Sequence, residues 1–146
     1  MRVAIVVARF NDFVTERLLE GAERLLAEQG LTGADIEVLR VPGAFEVPIA
    51  AQRIAETGRV EAVVCLGCLI RGATPHFEYI ASACAHGITA AAAATGVPMS
   101  FGVLTTNSVE EAMERAGDGD ANKGREAAQA ALDMARLFEL VSDERA

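Results

Sequence analysis

The chain opens on RVAIVVA, residues 2–8, an apolar β-branched run with no polar alternation. A strand of that kind is covered on both faces, as in a parallel sheet. Arg9, Phe10 and Asn11 follow it, and Val14, Leu18, Ala22 and Leu25 then keep helical spacing. Asn11 or Asp12 is the expected cap of this helix, which reaches about Gln29 and stops at Gly30. IEVLRV, residues 36–41, reads as a second strand broken by Pro42 and Gly43. Ala44, Phe45 and Glu46 begin a second helix reaching about Thr57, with Pro48 in its first turn, where proline is tolerated. A third strand covers about 60–68, and a long Ala-rich helix runs from Pro75 to about Ala94. PMSFGVL, residues 98–104, is the fourth strand. Ser108 and Glu111 have capping-box spacing for a short helix to about Ala116. GDGDANKG is a turn-rich joint. The last helix spans about Lys123 to Val141, with Ala127, Ala131, Met134 and Phe138 on one face and a solvated tail, SDERA, behind it.

Strand and helix alternate four times, which predicts a parallel sheet with right-handed crossovers. The fold class is α/β: a flavodoxin-like three-layer α/β/α sandwich with a four-stranded parallel sheet, one domain over residues 1–146. Four strands leave two sheet edges and much helix surface uncovered, so self-association is expected. The run from Ala90 to Ala94 has almost no side-chain volume. Such a smooth helix packs closely on a sheet or, for part of its surface, on a copy of itself.

Composition narrows the partners. The formal net charge is −8 and the pI near 4.7, which argues against a nucleic acid or an acidic membrane surface. An anionic substrate must be met by local positive groups. The cysteines are three, Cys65, Cys68 and Cys84, an odd number with two inside an apolar strand. Strand neighbours point apart, so buried free thiols are expected rather than a redox pair or a zinc site. No signal peptide or membrane span is visible, and a reducing cytoplasm fits.

The candidate chemistry gathers after the third strand, in RGATPHFEY, residues 71–79. Thr74 sits where an N-cap belongs and Pro75 at the first helical position. Free amides of that first turn, beside side-chain-free Gly72, make an anion site, and His76 sets a titratable imidazole next to it. Ligands of such sheets bind beyond the carboxyl ends of the strands. Those ends offer Phe10 and Asn11, then Gly43 to Glu46, then Cys68 to His76, then Phe101. Phe10 can stack on a flat heterocycle, although Phe10 and Phe101 are also ordinary core residues by type. Glu46 either serves a ligand or complements a helix dipole. Arg71 either meets phosphate or tethers its own loop, and Arg115 and Lys123 are otherwise surface cations. His86, in mid-helix, reads as structural. There is no Walker A loop, no G-x-G-x-x-G and no nucleophile elbow. The chain brings neither metal nor covalent nucleophile, so a substrate must supply the nucleophile.

VARFND, VPGAFEVP, GCLIRGATPHFEYI, FGVLTTNS, and ERAG followed by NKG and EAA stand in order along nearly the whole chain. In these motifs the chain resembles the lumazine synthases, which make 6,7-dimethyl-8-ribityllumazine, the penultimate step of riboflavin biosynthesis. IRGATPHFEY is the most specific of them. The resemblance implies a transferase without metal or cofactor, in which an aminouracil's own amine attacks a four-carbon ketose phosphate. It implies that Phe10 stacks on the pyrimidine, that Ala44, Phe45 and Glu46 bind its ring and ribityl chain, and that Cys68, Leu69 and Ile70 line the same pocket. Ala73 and Thr74 would hold the phosphate, and His76 would shuttle protons. Phe101, Arg115 and Lys123 would come from a neighbouring subunit, with Arg115 neutralising phosphate.

Two departures bear on that picture. Many members carry an extension ahead of the first strand, whereas this sequence begins at it, so a pentamer is expected and a shell of twelve pentamers is left open against it. Cys68 stands where small or β-branched residues are common. The rival readings are an archaeal-type riboflavin synthase, which should lack the RGATPHFEY loop, and an idle shell or lumazine-binding protein, against which His76, Arg115 and Phe10 argue.

Overall fold

A computed structural model describes residues 1–143; of the expected solvated tail, Glu144, Arg145 and Ala146 lie outside the described residues. The elements are β1 (Val3–Ala8), α1 (Asp12–Glu28), a 3₁₀ turn (Gly33–Asp35), β2 (Ile36–Val41) and a second 3₁₀ turn (Ala44–Glu46). There follow α2 (Val47–Glu56), β3 (Ala62–Ile70), α3 (His76–Thr95), β4 (Met99–Thr106), α4 (Val109–Arg115) and α5 (Lys123–Ser142). All strand pairs are parallel, in the order β2-β1-β3-β4.

Alternate residues of the central strands feed two cores. Val3, Ile5, Val7, Val64 and Leu66 meet Leu18, Leu26 and Leu132 of α1 and α5. Ala4, Val6, Val63 and Cys65 meet Val47, Ile54, Cys84 and Ile88 of α2 and α3. Every residue of β1 is buried, which is why its sequence shows no alternation. β2, at an edge, buries only Val41 fully. Each fully buried Leu or Ile contributes about 2 kcal/mol of transfer free energy.

Two glycines set the closest helix approaches. A Cβ at Gly124 would lie 2.0 Å from the Leu18 carbonyl oxygen, so α5 crosses α1 nearly backbone to backbone. A Cβ at Gly87 would lie 2.8 Å from Cβ of Pro48, where α2 presses on α3. Next to Gly124, the buried Asn122 caps α5: its Oδ1 accepts from the Arg125 N–H at 3.0 Å. Its Nδ2 donates to the carbonyls of Arg17, Ala116 and Gly117. The NKG motif is therefore a joint between α1, α4 and α5, with Lys123 left facing outward.

Several boundaries depart from the sequence expectations. β3 and β4 each run two residues further, because Leu69 pairs with Thr105 and Ile70 with Thr106. Pro75, not Thr74, is the N-cap of α3; its carbonyl accepts from the Glu78 N–H at 3.2 Å, and Thr74 makes no cap bond. Ala44–Glu46 is a 3₁₀ turn ahead of α2 rather than its first α-turn. The capping box of α4 is split: Ser108 Oγ accepts from the Glu111 N–H, while the Glu111 carboxylate reaches back to the Asn107 N–H. α3 buries only Cys84, Ile88 and Ala91, so most of its alanine surface is open.

Candidate active site

The sheet order places a switch point between β1 and β3, since the chain leaves β1 toward β2 on one side and returns to β3 on the other. In an open parallel sheet, a crevice opens at the carboxyl ends there. Asn11 spans it. Its backbone is left-handed, with φ 64°, the only positive φ outside glycine among the described residues. This conformation turns its side chain away from the usual capping role and lets Nδ2 donate to the Cys68 carbonyl at 2.9 Å. The neighbouring Phe10, anchored by its N–H on the Pro42 carbonyl at 3.0 Å, is 68% exposed beside the crevice.

The groove that results, about 180 Å³, is lined by Phe10 and Asn11 just after β1, Leu69 and Ile70 from β3, and Gly72, Thr74 and His76 from the segment beyond. Phe77 and Ile80 of α3 close its wall. The N–H groups of Gly72, Ala73, Thr74, His76 and Phe77 donate to no acceptor among the described residues. Backbone donors at a helix start with no partner of their own favour an anion.

A second groove, of about 550 Å³, follows the outer edge of β4 over α5. Phe101, Arg115 and Lys123 meet there, with Glu126 beside them. Each cation leans on a carboxylate of its own helix. Arg115 stands 3.5 Å from Glu111, and Lys123 Nζ lies 3.2 Å from both oxygens of Glu126. Exposed pairs of this kind contribute little and yield readily to a stronger anion. The two grooves share no lining residue.

The site residues expected from sequence are thus divided. Phe10, Leu69, Ile70, Thr74 and His76 line one groove, and Phe101, Arg115 and Lys123 the other. Phe45 is exposed, and the turn carrying Ala44 and Glu46 packs against β1, β3 and α3. Ala73 is exposed in the turn behind Thr74. Strand alternation sends the Cys68 side chain into the α1–α5 core, on the face opposite Leu69, and its carbonyl accepts from Asn11.

Arg71 takes the tethering alternative, binding Asn107 and Glu78. His86 is exposed, with Nδ1 3.3 Å from Ser82 Oγ. Glu126 escaped the sequence reading, and Asn11 was read there only as a helix cap and a strand-tip residue. Glu126 was signalled by its i+3 spacing from Lys123; the backbone twist at Asn11 had no sequence signal beyond residue type.

The thiols are inert by environment. Burial pushes Cys68 and Cys84 up to about 11, and Cys65 up as well, so all three stay protonated. No group of three or more His, Cys, Asp or Glu among the described residues is placed to hold a metal ion. No helix among them is long and apolar enough to cross a membrane.

The family model described as 6,7-dimethyl-8-ribityllumazine synthase matches residues 1–139. A protein of Syntrophus aciditrophicus (strain SB) named 6,7-dimethyl-8-ribityllumazine synthase is 53% identical over 138 residues, covering 94% of this chain and 90% of that protein. With the strand-tip groove and this likeness along nearly its full length, the chain belongs to the 6,7-dimethyl-8-ribityllumazine synthase family.

Proposed function

We propose that this chain is a transferase of riboflavin biosynthesis, condensing 5-amino-6-(D-ribitylamino)uracil with 3,4-dihydroxy-2-butanone 4-phosphate to 6,7-dimethyl-8-ribityllumazine. The observation that carries this reading is the groove joining Phe10, His76 and the free amides of the turn before α3.

In this reading the uracil amine adds to the ketone carbonyl and water leaves, forming a Schiff base. A proton then departs from the adjacent carbon, phosphate is expelled, and the ring closes with loss of a second water. His76 carries protons between these steps. The amides around Ala73 and Thr74, with Arg115, receive the charge that builds on the departing phosphate. Phe10 stacks on the pyrimidine; Ala44, Phe45 and Glu46 hold its ring and ribityl chain, beside Leu69 and Ile70. Most of the acceleration comes from holding two reactants aligned.

A pocket for a ligand of this size needs about 300 Å³ or more. The groove at His76 offers about 180 Å³. A second copy therefore completes it, bringing Phe101, Arg115 and Lys123 from its own β4 edge. The assembly is a homo-oligomer, a pentamer free or built into a shell, working in the cytoplasm. Mixing the two substrates with the protein tests the whole reading: lumazine fluorescence rising above the uncatalysed rate supports it, and its failure to rise removes it.

A further inference from the structure

Residues 72–74 of the turn before α3 have no hydrogen-bonded support of their own. Gly72, Ala73 and Thr74 make no hydrogen bond among the described residues, and all three are exposed. What fixes it is Arg71, at its entrance. The Arg71 N–H donates to the Thr106 carbonyl at 2.8 Å, continuing the β3–β4 ladder. Its guanidinium then makes three contacts at once. Nη1 donates to Glu78 Oε1 at 2.7 Å, across the turn and in the first turn of α3. Nε donates to Asn107 Oδ1 at 2.9 Å, at the β4–α4 junction. The guanidinium carbon lies 4.5 Å above the ring of Phe77, which lines the His76 groove.

We propose that Arg71 is a positioning residue: it clamps the ends of the phosphate-binding turn and ties that turn, through Asn107 and Glu111, to Arg115. The path beyond Asn107 is continuous, since its N–H donates to Glu111 Oε1 at 3.1 Å and that same oxygen lies 3.5 Å from Arg115 Nη1. With Nη1 directed at Glu78 and Nε at Asn107, the guanidinium shapes the anion site from outside. Only a planar fork fits this pattern; a lysine ammonium has no flat face for Phe77 and no two fixed donors to aim apart. An exposed ion pair adds little stability, so the role is geometric.

The inference rests on the reading that the turn before α3 holds a phosphate. Its test varies each substrate in turn and measures inhibition by inorganic phosphate. The variants are Arg71→Met, Arg71→Lys, Glu78→Gln and Asn107→Ala; the last two weaken the clamp while keeping the cation at position 71. Arg71→Met is expected to raise both the KM for the butanone phosphate and the phosphate inhibition constant about tenfold. Arg71→Lys, Glu78→Gln and Asn107→Ala should move the same two constants in the same direction by smaller factors. The KM for the aminouracil and the thermal midpoint should stay near wild type throughout. Wild-type constants in both Arg71 variants overturn the proposal. A rise confined to the Arg71 variants also overturns it, because it makes Arg71 a direct ligand. Either result leaves the functional reading intact; a wild-type protein that makes no lumazine removes that reading and this inference together.

Discussion

The side-chain amide of Asn11 donates to the backbone carbonyl of Cys68 at 2.9 Å, and this single bond ties the tips of β1 and β3 at the point where the sheet divides. Phe10, one residue earlier, is held by its own N–H on the Pro42 carbonyl. Two replacements separate the two contributions. Asn11→Gly keeps the backbone conformation and loses the bond, costing about 1 kcal/mol. Asn11→Ala loses the bond and adds the left-handed penalty, costing about 2 kcal/mol. Urea unfolding should therefore rank glycine above alanine, the reverse of their order inside a helix. Alanine equal to or better than glycine would show that the backbone at Asn11 is not under the constraint described.

The sequence displayed β1 and β3 plainly because both faces of each are covered, leaving unbroken apolar runs. It hid the last residues of β4, where the ladder is continued by Thr105 and Thr106 pairing with Leu69 and Ile70 rather than by apolar character. Thr74 carries the hydroxyl that capping chemistry prefers, yet Pro75 takes that place; the Arg71 clamp to Glu78 is a tertiary contact that no local rule contains. The site was legible as a set of strand tips. Its division followed only from the family resemblance, not from periodicity or spacing: β4 lies at the sheet edge, so Phe101 faces a groove that Phe10 does not reach. Sheet order decides that, and sequence order does not show it.

Acid should loosen the fold through three exposed carboxylates. The Arg125 guanidinium hydrogen-bonded to Glu28 holds that carboxyl below its ordinary value. Arg59 does the same for Glu37, and the Thr32 N–H for Asp35. A carboxyl lowered in the folded state stabilises fully above its unfolded value, about 4, and loses that contribution as pH falls through its folded value. Thermal midpoints should stay level above about pH 5 and fall below about pH 4. Glu28→Gln with Glu37→Gln should lower the plateau and flatten the acid limb. An acid limb of unchanged steepness in that double variant would assign the loss to other groups.

Replacing His76 with alanine should slow turnover by about 10²-fold without abolishing it, since in the proposed mechanism general acid–base help is one part of the acceleration and alignment the larger one. Single-turnover kinetics with both substrates saturating would read this directly. A variant reduced to the uncatalysed rate would place the imidazole, rather than alignment, at the centre of catalysis.

Arg115→Ala should raise the KM for the phosphate substrate, and an unchanged value would count against its role as phosphate partner. The stronger test uses two defective chains together. His76 and Arg115 occupy grooves of one chain that share no lining residue. If one site takes His76 from one copy and Arg115 from the next, coexpressing His76→Ala with Arg115→Ala chains recreates some fully native sites. Random pairing gives about one interface in four with both native side chains. Activity should then recover to about a quarter of wild type, well above either variant alone. If one chain supplied both residues to its own site, every site in the mixture would lack one of them. Activity would then stay at the average of the two parents.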